Sequence, residues 1–142
     1  MPVVEFHMVT SCYSDEALTS LLEEASLFYA AVLYPEMERP PIERVRAIVH
    51  DVAPRHWATG GKLVRDGGAP APYFTCLSLK GRRPEQLQHL MSGMTDMLCR
   101  HLGCAIDMVR GQVIEIDPEH WYIAGAPASQ ARSSEIAARA SR

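Results

Sequence analysis

Residues 2–9, Pro-Val-Val-Glu-Phe-His-Met-Val, open the chain with a strand-forming pattern that starts on a proline. Valine, phenylalanine and methionine at these positions favour a β-strand. A second strand that opens with proline follows 70 positions later, at residues 72–79, Pro-Tyr-Phe-Thr-Cys-Leu-Ser-Leu. The repetition predicts that the chain contains two copies of one structural unit.

A helix and then a second strand are predicted after each of these opening strands. Ser14 is placed as an N-cap in the first half, while Pro84 suits the first turn of the second helix and Gly103 its end. The apolar spacing predicts helices at about residues 15–34 and 84–102, and strands at 45–52 and 108–116.

The two halves also match in their polar and aromatic residues. Arg46 and Arg110 begin the second strands, and a His-Trp pair follows in each half, ending at Trp57 and Trp121. A tandem β-α-β duplication explains these matches and predicts an α+β fold, a four-stranded sheet with two helices on one face. The other face is left uncovered, and we expect self-association to bury it.

These boundaries divide the chain into a first β-α-β unit at residues 1–66 and a second at 67–127. A turn-rich hairpin is predicted at 53–61, and residues 62–71 are interpreted as a connector. Residues 128–142, rich in Ala, Ser and Arg, are predicted to form a tail, with partial helix and disorder both left open.

Composition excludes several classes of function. The net charge of −3 gives no basic surface for nucleic acid or membranes, and no apolar run is long enough to span a bilayer. The N-terminus lacks the signal-peptide pattern, so we expect a cytoplasmic protein whose four cysteines are free thiols. The six histidines show no metal-ligand spacing, so neither a metal site nor a cofactor is predicted.

The duplicated pattern resembles the tautomerase superfamily, in the fused form that joins two 4-oxalocrotonate tautomerase-like units. The resemblance covers roughly residues 2–127. It rests on Pro2, on Arg82 ten residues after Pro72, on the paired Arg46 and Arg110, and on the aromatic-then-glycine segments around the tryptophans. It implies the tautomerase/MIF-like β-α-β fold and a homotrimer.

The resemblance also implies a role for individual residues. Pro2, freed by removal of Met1, is the expected catalytic base or acid. Arg82, Arg110 and Trp121 are the expected substrate-binding residues, the last two contributed by a neighbouring subunit.

Four further candidates are Arg46 and Trp57, which would line the second pocket, together with Arg83 and Tyr29. That second pocket combines Pro72, an internal amide without a basic nitrogen, with Cys12, which stands where the family pattern has arginine. It is therefore expected to be inactive. If the opening strands pair antiparallel, Pro2 lies close to Arg82.

The chemistry of a free prolyl amine supports this assignment. Burial and nearby arginines disfavour the ammonium form and lower the pKa of such an amine. A neutral amine can move a proton from a 2-hydroxydienoate or enol carboxylate to carbon without a cofactor. Arginines bind the substrate carboxylate and stabilise the developing negative charge.

Three alternatives remain. Hydration, dehalogenation or decarboxylation of a small unsaturated or 3-oxo acid uses the same superfamily fold. Ile123 stands where a water-activating carboxylate is sought, which argues against hydration but not against decarboxylation. A degenerate trimer that serves binding or structure is the second. A ferredoxin-like binding domain, which shares the β-α-β-β-α-β order, is the third.

Overall fold

The elements follow the predicted order in this computed structural model, which describes residues 2–142. Met1 lies outside the described residues. The chain forms β1 (Val3–Met8), α1 (Asp15–Leu33), β2 (Arg46–Asp51), β3 (Ala58–Thr59), β4 (Lys62–Leu63), β5 (Tyr73–Leu79), α2 (Pro84–Leu102), β6 (Arg110–Ile116), β7 (Tyr122–Ile123), β8 (Ala126–Pro127), α3 (Ala128–Ala131) and α4 (Ser133–Ala140).

The four long strands form one mixed sheet in the order β2-β1-β5-β6. Each unit pairs its own strands in parallel, β1 with β2 and β5 with β6. The two units meet through β1 and β5, which pair antiparallel with Val3 opposite Leu77. The predicted α+β fold of two β-α-β units is therefore confirmed, as is the antiparallel pairing of the opening strands.

Both long helices cover the same face of this sheet. Alternate residues of the central strands point toward them, because successive strand side chains lie on opposite faces. The resulting core is buried and apolar, with Val4, Phe6, Met8, Phe74 and Cys76 from the strands and Leu21, Ala25, Leu90, Met94 and Leu98 from the helices.

Two short antiparallel hairpins follow the parallel units, β3-β4 after the first and β7-β8 after the second. The interpretation of residues 62–71 as a connector was wrong at its start, because Lys62 and Leu63 pair with Thr59 and Ala58. The tail that was predicted at 128–142 is helical over most of its length.

The second face of the sheet carries no helix. Ile48 and Ile114 point to this open face, because their neighbours Val49 and Val113 pack against the core. They expose 40% and 41% of their surface. None of the helices between residues 2 and 142 is long and apolar enough to cross a membrane.

Candidate active site

Pro2 is buried and lines a cavity at the end of the sheet where β1 begins. The antiparallel register brings this end of β1 beside the end of β5, so Ser78 and Leu79 share the cavity wall. Ile123 of the second hairpin lines it as well. The start of the first unit therefore meets the end of the second within one subunit.

Arg82 lines the same cavity, as the antiparallel pairing predicted. It follows Gly81, whose φ of +97° turns the chain after β5. Its Nη1 donates a hydrogen bond to the carbonyl of Leu33, and its guanidinium carbon lies 5.2 Å from the centroid of the Tyr34 ring. These contacts hold the guanidinium against the cavity.

The electrostatic environment of Arg82 is unusual for an arginine. Burial lowers its pKa, and the nearby positive charge of Arg139 lowers it further. The Nε of Arg82 is buried and has no hydrogen-bond partner among residues 2–142. The site thus holds a partly desolvated cation with an unused donor.

A second arginine, Arg44, lines the cavity from the segment before β2. Its Nη1 lies 2.9 Å from Oε1 of Glu135 and donates to the Tyr34 hydroxyl at 3.3 Å. Glu135 belongs to α4, so this ion pair joins the C-terminal helix to the first unit. Tyr34 contacts the guanidinium groups of both Arg44 and Arg82.

The C-terminal segment closes the cavity. Arg132, Glu135 and Arg139 have the i, i+3, i+7 spacing of one helical face, and all three line the cavity. The enclosed space is only ≈ 20 Å³, which holds about one water molecule. Two outer clefts of ≈ 300 and ≈ 310 Å³ adjoin it, and Arg82 and Arg139 line both of them.

Sequence reasoning missed Tyr34, Arg44, Arg132, Glu135 and Arg139 as lining residues. The sequence shows the helical spacing of the last three residues, but it does not indicate which part of the molecule they contact. Tyr34 and Arg44 flank a proline-rich segment that gave no motif. Ile123 was noticed only as the residue that replaces a carboxylate.

The predicted arginines of the second strands lie at opposite ends of the sheet. The amide of Arg46 donates to the carbonyl of Pro2 at 3.0 Å, and the amide of Arg110 donates to the carbonyl of Pro72 at 3.2 Å. Their side chains bond nearby carbonyls, Arg46 that of Glu43 and Arg110 that of Asp107. Within one subunit, Arg110 therefore does not reach the Pro2 cavity.

The tryptophans open the two hairpins. The carbonyl of Trp121 accepts a hydrogen bond from the amide of Ala128 at 2.7 Å, and that of Trp57 accepts one from Val64 at 2.9 Å. Both rings are half-buried, and neither lines the Pro2 cavity of its own subunit. Their predicted roles in substrate pockets stay predictions.

The two remaining candidates lie outside the inner cavity. Tyr29 is fully buried in the core, where its hydroxyl donates to the carbonyl of Leu77 at 2.7 Å. Burial raises its pKa well above the ordinary range. Arg83 is the N-cap of α2 and lines an outer cleft beside Arg82.

The second, pseudo-equivalent site keeps its position in the fold but lacks a basic nitrogen. Pro72 is fully buried within the chain, and Cys12 is exposed in the short turn at Thr10–Cys12. The adjacent Tyr13 donates its hydroxyl to the carbonyl of Pro70 at 2.9 Å. A peptide-bonded proline offers no basic nitrogen, so this end cannot provide the same proton transfer.

One cluster of metal-type ligands lies on the open face of the sheet. The rings of His7 and His50 stack with centroids 4.7 Å apart, and Nε2 of His50 lies 3.2 Å from Oε2 of Glu5. Ligand atoms of all three residues lie within 4.8 Å of one another. Strand pairing, not sequence spacing, creates this group, and the expectation of no metal site stays a prediction.

Solved structures with the same fold include Pt0534 and several fused 4-OT proteins. The protein Pt0534, inactivated by 2-oxo-3-pentynoate, is 22% identical and superposes with a TM-score of 0.77, covering 91% of this chain and 98% of its own. Native fused 4-OT is 20% identical with a TM-score of 0.76, covering 90% and 97%. Other fused 4-OT structures are symmetric or asymmetric trimers.

The same fold also occurs in a protein of another family. N1, a member of the cis-3-chloroacrylic acid dehalogenase family, is 14% identical with a TM-score of 0.71 and covers 99% of both chains. No protein-family model and no curated protein sequence matches this chain. The fold is therefore that of the fused 4-oxalocrotonate tautomerase-like proteins, as the sequence predicted.

Proposed function

We propose that this chain is a cofactor-free tautomerase that uses the amine of Pro2 on a small 2-hydroxydienoate or enol carboxylate. The observation that carries the proposal is the cavity shared by Pro2 and Arg82. The internal copy of this proline, Pro72, has no free amine, so the reaction belongs to one end of the sheet.

The neutral amine acts first as a base. It takes the proton of the substrate's 2-hydroxyl group, and the electron pair of that O–H bond forms the carbonyl while the dienol electrons move toward carbon. The resulting prolinium then returns the same proton to that carbon, giving the 2-oxo isomer. Arg82 stabilises the negative charge that develops on the dienolate and the carboxylate.

A homotrimer completes the proposed site. Arg110 and Trp121 of a neighbouring subunit would join Pro2, while Arg46 and Trp57 would line the inactive pocket. The fused 4-OT structures that share this fold are trimers, which supports the assembly. We place the protein in the cytoplasm, where free cysteines remain reduced.

Hydration, dehalogenation or decarboxylation is the second candidate. The fold similarity to N1 and the carboxylate of Glu135 in the cavity wall favour it, because addition of water requires a group that activates water. Glu135→Gln separates tautomerisation from the reactions that add water: it would abolish hydration or hydrolytic dehalogenation and leave proton transfer by Pro2 intact.

The test begins with the mass of the purified protein, which reports whether Met1 has been removed. The protein is then incubated with 2-oxo-3-pentynoate, the compound that inactivates Pt0534. Conjugate addition forms a bond between the Pro2 nitrogen and C4, the alkyne carbon farther from the carbonyl group. The proton of the nitrogen moves to C3, the adjacent alkyne carbon. The mass therefore increases by that of the whole reagent, and peptide mapping should find the adduct on Pro2.

Pro2→Ala and Pro72→Ala form a matched pair for the reaction itself. Ketonisation of a 2-hydroxydienoate is followed by absorbance. We expect Pro2→Ala to lose at least about 100-fold in kcat/KM, the usual contribution of a general base, and Pro72→Ala to retain activity. Equal rates for Pro2→Ala and the parent, or retention of Met1, would instead support a binding or structural trimer.

A further inference from the structure

Two guanidinium groups, those of Arg82 and Arg139, line the inner cavity and both outer clefts. Each has a buried nitrogen without a hydrogen-bond partner among the described residues, Nε in Arg82 and Nη1 in Arg139. Buried donors are almost always paired, since an unpaired one costs free energy. These two donors therefore point to a position that can bind an acceptor.

The acceptor that suits this position is an anion. Two like charges destabilise each other when they are partly desolvated, and the pKa of Arg82 is lowered by its burial and by Arg139. The carboxylates nearby are already engaged: Glu135 pairs with Arg44 at 2.9 Å, and Glu36 lies 3.8 Å from Arg142. The charge of Glu36 raises the pKa of Arg82, but burial and Arg139 have the larger effect and lower it.

The position of the pair suits a ligand that reaches Pro2. The inner cavity of ≈ 20 Å³ is too small for a four- or five-carbon acid, whereas the cleft beside Glu135 offers ≈ 310 Å³. Arg82 and Arg139 lie between the two spaces. An acid that enters from the cleft meets them before it meets the amine.

We propose that Arg139 of α4 is a substrate-binding residue, which holds one carboxylate group of the substrate together with Arg82. The C-terminal helix is then part of the site and not only its cover. Entry of the substrate opens the contact between Arg44 and Glu135. This inference rests on the proposed function, because it concerns the same cavity.

Binding is measured apart from chemistry. The full-length Pro2→Ala protein is titrated by calorimetry with 2-oxopentanoate, a saturated 2-oxo acid that has no dienol or alkyne to react. Arg139→Gln, Arg139→Lys and Glu135→Gln are compared in this background. Arg65→Gln, an exposed arginine near the first hairpin, is the control for the loss of one positive charge.

Arg139→Gln is expected to weaken binding about 10- to 100-fold, the loss for a hydrogen bond to a charged group. Arg139→Lys should weaken it less, because lysine keeps the charge but not the forked geometry. Glu135→Gln should bind as tightly or more tightly, since it removes a competing carboxylate. Arg65→Gln should have no effect.

Three results would overturn the proposal. One is Arg139→Gln binding within about twofold of the parent, well below the expected loss. Another is equal weakening by Arg139→Gln and Glu135→Gln, which would mean that the helix only covers the cavity. The third is a parent that does not bind 2-oxopentanoate.

This binding test can fail without the proposed function failing, because the proposed function is tested by the loss of turnover in Pro2→Ala. If Pro2→Ala keeps its turnover while Arg139→Gln loses affinity, the assignment of the base fails and Arg139 remains a carboxylate ligand. If turnover depends on Pro2 and affinity does not depend on Arg139, only the present inference fails.

Discussion

Tyr29 shows how one polar atom is accommodated in this core. The side chain is completely buried, and its hydroxyl is satisfied by the carbonyl of Leu77 in β5. That carbonyl lies on the strand next to the start of β1. The hydrogen bond therefore ties α1 to the central pair of strands without placing Tyr29 in the cavity.

Replacing Tyr29 with phenylalanine tests this role. The change keeps the ring but leaves the Leu77 carbonyl without its donor, so we expect a loss of about 1–2 kcal/mol in the free energy of unfolding. Chemical denaturation at pH 7 measures it. Because Tyr29 does not line the cavity, kcat/KM should stay unchanged; a large fall would show that the hydroxyl takes part in the reaction.

The same variant has a characteristic pH dependence. The pKa of Tyr29 is raised in the folded protein by burial, above the value of about 10 for an exposed tyrosine. The contribution of the Tyr29 hydroxyl to the free energy of unfolding is complete below pH 10. It is lost as the pH rises further, because Tyr29 loses its proton at a lower pH in the unfolded chain than in the folded protein. The difference in stability between the parent and Tyr29→Phe should therefore narrow above pH 10.

Single residues of the site were predictable only where the repeat fixed them. Pro2 and Arg82 could be placed together because the duplication implied an antiparallel junction between two parallel units. Glu135 and Arg139 could not, because their partners lie about 90 and 57 positions earlier in the chain. Nothing in the local pattern of residues 128–142 indicates which surface they cover.

At the scale of elements, local signals located the long helices to within a residue. Ser14 accepts a hydrogen bond from the amide of Ala17 at 3.1 Å, Pro84 occupies the first turn of α2, and Gly103 ends it with a φ of +68°. Helix α4 has no side-chain cap of this kind. Its position depends on contacts with the cavity, so the sequence left it undecided.

Strand β6 requires a glycine at position 111, and the sequence pattern of the strand does not indicate this. A Cβ atom on Gly111 would lie 2.5 Å from the Phe74 ring and 3.0 Å from the Met91 Cε atom. Phe74 is fully buried and cannot move aside. The glycine therefore allows the ring of one strand to cover the backbone of the next.

Gly111→Ala should consequently destabilise the protein by about 1–3 kcal/mol, the range for overpacking a core. Thermal and chemical unfolding measure the loss. In a Phe74→Leu background the shorter side chain relieves the contact, so the same substitution should cost clearly less. Equal costs in the two backgrounds would contradict the steric explanation.

At the scale of the whole molecule, the open face of the sheet is arranged in rows. The paired residues Val3, Leu77 and Ile114 form an apolar row across three strands, while His50, His7 and Tyr73 form a polar aromatic one. The rings of His7 and Tyr73 lie 5.4 Å apart. An apolar row near one end of the face and an ordered polar row near the other suit a surface that contacts other subunits.

A substitution on this face tests the proposed trimer. In the proposed trimer the side chain of Ile114 is buried between subunits. Ile114→Asp removes this apolar burial, which is worth about 1.5–3 kcal/mol of association free energy per subunit. It also adds the cost of desolvating a carboxylate. Light scattering during size-exclusion chromatography should give three times the 15.8 kDa chain mass for the parent. It should give the mass of one chain for the variant.

Ile106→Asp is the matched control. Ile106 lies in the short turn before β6, away from the sheet, and is 63% exposed, so the same chemical change there should leave the mass unaltered. If Arg110 and Trp121 act across the interface, Ile114→Asp should also lose activity in proportion to the fraction of dissociated chains. A dissociated variant with full activity would show that one subunit holds the complete site, and a parent that runs as a single chain would exclude the trimer.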